Sequence, residues 1–188
     1  MFYHSTRGDA YRVDSAQAVL EGLAPDGGLY MPDAIPEFDW KKCLTGSSLD
    51  MATDILSALL PDIPNMDVLV KNAYTGKFET EDLTPTVPVG DFGVLELFRG
   101  PTSAFKDVAL SMLPQLLTAA KTAKGWKEDI LILTATSGDT GKAALEGFHD
   151  VPGVRICVFY PHGGVCRYCG TRQERRTAGQ LRRNCRGA

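Results

Sequence analysis

Long apolar runs are missing from this 188-residue chain. No stretch approaches the roughly 20 consecutive apolar residues that a membrane-spanning helix needs. The opening Met1-Phe2-Tyr3-His4-Ser5-Thr6-Arg7 has no apolar stretch after a basic cluster, so the sequence predicts no secretory signal. Cysteine is scarce as well. Five cysteines are too few for a disulfide scaffold and predict a reducing, cytoplasmic setting. What remains is 44% hydrophobic and 23% charged, which excludes a disordered or fibrous chain. A chain of this length can bury a real core and fits one domain or two small ones.

Acidic residues are almost absent from one end. Residues 166–188 hold seven arginines, no lysine and a single acid, Glu174, whereas residues 1–165 carry a net charge of −9. Three of the five cysteines, Cys166, Cys169 and Cys185, lie in the same tail. Its large apolar residues are Tyr168 and Leu181, too few to build a core. The break predicts a division into 1–84, 85–165 and an aberrant Arg/Cys-rich tail over 166–188.

The first division reads as a small, mainly helical module. Asp14, with Gln17 three residues later, predicts a capped helix over about 15–22. Pro25-Asp26-Gly27 is turn chemistry, since proline presets φ and glycine accepts a positive one. Ser47 or Ser48 can cap a second helix carrying Leu49, Ala52, Leu56 and Leu59, and a third is predicted over Met66–Tyr74. Thr84-Pro85-Thr86-Val87-Pro88 excludes regular helix and marks a boundary.

Beyond it the pattern becomes α/β. A strand is predicted over 93–98 and a helix from about Phe105 to Lys121, with Pro114 inside it. Ile130-Leu131-Ile132-Leu133 reads as a parallel strand, followed by a Gly-containing loop, a helix over Lys142–His149, and a strand over 154–160. Strand, loop, helix and strand make one parallel crossover unit.

Two places can carry chemistry. Thr136-Ser137-Gly138-Asp139-Thr140-Gly141 lies between a strand end and a helix start, where free N–H groups and the helix dipole favour an anion. A plain capped helix with an Asx-type turn explains the same spacing. A Walker loop is excluded, because Gly141-Lys142 is followed by Ala143 and position 136 is threonine. The second place is Lys106, next to Phe105. A partly desolvated lysine has the nucleophilic amine that Schiff-base chemistry needs, while an ordinary surface lysine would pair with Asp107.

Several motifs together resemble the threonine synthase family. They are Tyr3 with Ser5-Thr6-Arg7-Gly8, Gly22-Leu23-Ala24-Pro25-Asp26-Gly27-Gly28-Leu29-Tyr30, Glu96-Leu97-Phe98-Arg99-Gly100-Pro101-Thr102 with Phe105-Lys106-Asp107, and Thr134 through Gly147. The resemblance runs from residue 1 to about 165. It implies an α/β chain with a small helical N-terminal domain and a truncated parallel-sheet cofactor domain of the tryptophan-synthase-β-like fold. It implies a pyridoxal 5′-phosphate (PLP) enzyme converting O-phosphohomoserine and water to threonine and phosphate. Lys106 would hold the cofactor and shuttle protons among the substrate carbons. Ser137, Gly138, Thr140 and Gly141 would take the substrate carboxylate, Asp139 would sit near the cofactor's phenolic oxygen, and Ser5, Thr6 and Arg7 would face the substrate phosphate. The family continues past residue 165, into its cofactor-phosphate loop and its partner for the pyridine nitrogen. The resemblance therefore implies a truncated or frameshifted chain without activity of its own.

The tail offers two readings from other classes. His162 with Cys166, Cys169 and Cys185 would make a zinc site, although one Cys-x-x-Cys without a second close pair is a weak signal. Arg167, Arg172, Arg175, Arg176, Arg182, Arg183 and Arg186 would meet nucleic-acid phosphates. Arginine without lysine, beside one aromatic, reads as codon bias, so no specific nucleic acid, membrane or metal partner is predicted.

Overall fold

The computed structural model describes residues 1–37, 39–136 and 138–160. Ser137 and the tail with its cysteines and arginines lie outside the described residues. The chain divides into two compact units, residues 1–75 with 115–127, and residues 76–114 with the chain from 128 onward.

The first unit is built on a sheet that the helical reading did not include. Strands β1 (Phe2–Ser5), β2 (Gly8–Asp14) and β3 (Tyr30–Pro32) form an antiparallel sheet in the order β2-β1-β3. Helix α1 (Ser15–Glu21) follows β2, and the Asp14 carboxylate caps it by accepting the Gln17 N–H. After α2 (Trp40–Cys43) comes α3 (Ser48–Leu59), where Ser47 and Asp50 form a reciprocal capping box. Helix α4 (Met66–Tyr74) follows the predicted bounds.

Tyr3 packs from β1 into a core with Ala16, Ala18, Ile63, Met66, Val70 and Ala73. Its phenol donates to the Leu59 carbonyl at the end of α3. Buried Ser15 donates from its amide and hydroxyl to the Asp62 carboxylate, tying the start of α1 to the α3–α4 connection.

The second unit opens with a hairpin, β4 (Thr86–Val89) and β5 (Phe92–Leu95). This corrects the strand predicted over 93–98, which ends at Leu95 and pairs with β4. The reason is the two-residue loop Gly90-Asp91, with Gly90 at φ +59°, a turn that returns the chain antiparallel.

Helix α5 (Asp107–Ala123) runs through Pro114. Strands β6 (Ile130–Ala135) and β7 (Val154–Phe159) pair in parallel, joined by α6 (Asp139–Gly147), which begins three residues earlier than predicted. Ala143, Ala144, Leu145 and Phe148 are buried with Ile156 and Val158. The opposite face of the pair is open among the described residues, with Leu131 58%, Leu133 63% and Phe159 59% exposed. A parallel sheet normally covers both faces, so this one presents an uncovered apolar side.

Candidate active site

Lys106 sits at the end of a loop that folds around its neighbour. Ser103 N–H donates to the Gly100 carbonyl and Asp107 N–H to the Ala104 carbonyl, so two turns follow in succession. Asp107 is buried, 2% exposed, and its carboxylate faces back into the loop. It accepts the Thr102 N–H at 2.7 Å and the Thr102 hydroxyl at 2.5 Å. Asp107 is thereby committed to Thr102, and among the described residues Lys106 makes no ion pair with it. The half-buried Lys106 instead lays its ammonium over the Phe105 ring, 4.1 Å from the centroid. Among the described residues this amine has an aromatic face beside it and no carboxylate partner.

The glycine loop lies at the head of α6. Gly138 is the N-cap residue and supplies no side-chain cap. The amides of Asp139 and Thr140 lead the helix, where no carbonyl of the helix lies behind them to accept. A Cβ at Gly138 would meet nothing within 4 Å, so the space before these amides is open. The plain capped-helix reading lacks its cap here. The loop is steadied from behind, because Gly138 N–H donates to the Thr136 hydroxyl and Thr136 N–H to the Phe159 carbonyl. The Lys142 ammonium, one turn into α6, donates to the Thr102 carbonyl at 2.8 Å. The Lys106 loop and the α6 loop therefore belong to one hydrogen-bonded assembly, which sequence reading had treated as two separate places.

Ser5, Thr6 and Arg7 form a cluster within the first unit. Ser5, 1% exposed, donates its hydroxyl to the Asp26 carboxylate at 2.7 Å and accepts the Arg7 N–H. Asp26 also accepts the Gly28 N–H, and the Thr6 hydroxyl accepts the Leu29 N–H. These bonds from Ser5 and Gly28 hold the Asp26 carboxyl below its ordinary pKa, as does the nearby Arg7 charge. Gly28 is required here by contact, since a Cβ would fall 2.1 Å from the Ser5 hydroxyl. Arg7 gives one N–H to the Asp26 carbonyl, and its exposed guanidinium lies beside Gly27. The Asp26 partnership is the feature the sequence reading missed, having assigned Pro25-Asp26-Gly27 to turn formation alone.

Residues 2–74 match the model of the threonine synthase N terminus. A threonine synthase of Methylobacillus glycogenes is 38% identical over 182 residues, covering 89% of this chain and 38% of that protein. The yeast Saccharomyces cerevisiae enzyme is 38% identical over 184 residues. A crystal structure of PLP-bound threonine synthase from Brucella melitensis superposes with a TM-score of 0.82 at 37% identity, over 94% of this chain and 38% of that one. Most of this chain is similar to part of a threonine synthase. The chain spans a little over a third of the length of the threonine synthases it matches. The threonine synthase relation covers the α/β architecture, including the parallel β6–β7 pair. Among the described residues, no helix is long and apolar enough to cross a membrane, and no group of three His, Cys, Asp or Glu is placed to hold a metal ion.

Proposed function

We propose that this chain carries the N-terminal division, residues 1–84, and part of the cofactor division, residues 85–165, of a PLP-dependent threonine synthase, a cytoplasmic enzyme converting O-phosphohomoserine and water to threonine and phosphate, and that the chain alone does not turn over. The observation that carries the reading is the assembly around Lys106: an amine with no carboxylate partner among the described residues, on a loop locked by Asp107 and joined through Lys142 to an uncapped helix start. These groups fit the cofactor, since an imine needs a free amine and an anion needs unpaired N–H donors. When bound, PLP supplies the electron sink for carbanion chemistry.

The residues divide the remaining work. Lys106 Nζ holds the cofactor and, as a free amine, moves protons among the substrate carbons. The amides of Asp139 and Thr140, with Gly138, Gly141 and the Ser137 and Thr140 hydroxyls, would take the substrate carboxylate. The Asp139 side chain is exposed in the first turn of α6 and would serve as the partner of the cofactor's phenolic oxygen. Arg7 takes the substrate phosphate, with Ser5 and Thr6 holding its loop.

Titration of the protein with PLP, followed by visible absorbance, tests the reading. Saturable uptake that is lost in Lys106→Ala, with the circular dichroism unchanged, supports it. Equal uptake by Lys106→Ala refutes it.

A further inference from the structure

Lys142 stands where helix electrostatics disfavours a cation. It is the fourth residue of α6, close to the positive end of the helix dipole. Its ammonium nevertheless turns to the Thr102 carbonyl, forty residues away in sequence. Thr102 is thus gripped from two sides. The Asp107 carboxylate accepts its N–H and hydroxyl, and the Lys142 ammonium donates to its carbonyl. An anion on the donors and a cation on the acceptor thus hold both peptide groups that flank the Thr102 Cα. The pair encloses the loop that ends in Lys106, the residue directly before Asp107.

We propose that Lys142 is a positioning residue. Its ammonium, acting through Thr102, fixes the loop and so sets the Lys106 amine relative to the head of α6. The assignment rests on the reading of Lys106 given above. It requires a donor at position 142 with a long stem and a permanent charge, because the target is a carbonyl on another segment. An apolar side chain of similar length would keep the stem's packing and lose the bond. Arginine would keep the donor and the charge.

Hydrogen exchange and competitive acylation of lysines, on the full chain and its Lys142→Met and Lys142→Arg variants, test this without cofactor. In Lys142→Met the amides of Thr102, Ser103 and Asp107 should exchange about tenfold faster, as loss of one charged hydrogen bond implies. The pH profile of Lys106 acylation should shift, with the other lysines unchanged, and Lys142→Arg should behave as the parent. Unchanged exchange at the three amides in Lys142→Met overturns the proposal. Faster exchange spread through β6, β7 and α6 also overturns it, since that marks a general stabiliser. PLP mapping of the parent separates the two readings. PLP absent from Lys106, together with selective loosening of the loop, leaves the tether standing and removes the cofactor assignment.

Discussion

Replacing Asp107 with alanine removes the acceptor for two buried donors at once. The Thr102 N–H and hydroxyl point at its carboxylate from 2.7 and 2.5 Å, and Thr102 is itself only 4% exposed. Both donors are buried, so bulk water does not replace the loss. Leaving a buried polar group unsatisfied costs about 1–3 kcal/mol. Two such groups would reach about 2–6 kcal/mol, and relief of the carboxylate's own desolvation brings the net toward about 2–4 kcal/mol. Asparagine keeps the shape and one acceptor oxygen, so Asp107→Asn should lose about half as much. Urea denaturation measures both variants. The midpoint should fall in the order parent, Asn, Ala, with the slope unchanged, because the surface exposed on unfolding is the same. An alanine variant with the parent's midpoint would refute the reasoning, since it would mean that Thr102 finds other acceptors at no cost.

Gly28→Ala forces a Cβ to 2.1 Å from the Ser5 hydroxyl, so it should destabilise by about 1–3 kcal/mol in thermal unfolding. A Cβ at Gly138 meets nothing within 4 Å, so Gly138→Val should leave the melting temperature nearly unchanged while abolishing substrate binding, measured by calorimetry in the PLP-loaded protein. Burial pushes the Tyr74 phenol up to about 12 from an ordinary 10.0. The folded state thus favours the neutral phenol. Its stability contribution is full below pH 10 and is lost as the pH rises toward about 12, which a pH series of urea midpoints will register.

The helices were legible in the sequence because their signals are local. Asp14 with Gln17, and Ser47 ahead of an apolar-periodic run, announce helix starts within four residues, and the structure realises both caps. The parallel β6–β7 pair was legible for a similar reason, since two apolar runs flank a glycine loop and a helix. The antiparallel sheet of the first unit was not. Strands β1 and β3 have four and three residues, too short for a periodic pattern, and they are paired across a loop and a helix. The β4–β5 hairpin did carry a signal in Gly90-Asp91, which the prolines at 85 and 88 obscured. Pro88 is tolerated because a two-stranded sheet leaves each strand an unpaired edge. At the site, Lys106 and Gly138 stood out by residue type and neighbours. The Asp107–Thr102–Lys142 chain and the Ser5–Asp26 bond did not, because each depends on side chains meeting in three dimensions.

Peptide mapping after borohydride reduction of the PLP-loaded protein bears most directly on the assignment of Lys106. Reduction turns the bond between cofactor and lysine into a stable mark. The mark should fall on the peptide containing Phe105-Lys106-Asp107, at close to one label per chain, with the other lysines clean. Label spread evenly over the exposed lysines, or concentrated on Lys142, would contradict the assignment of Lys106 and with it the proposed chemistry.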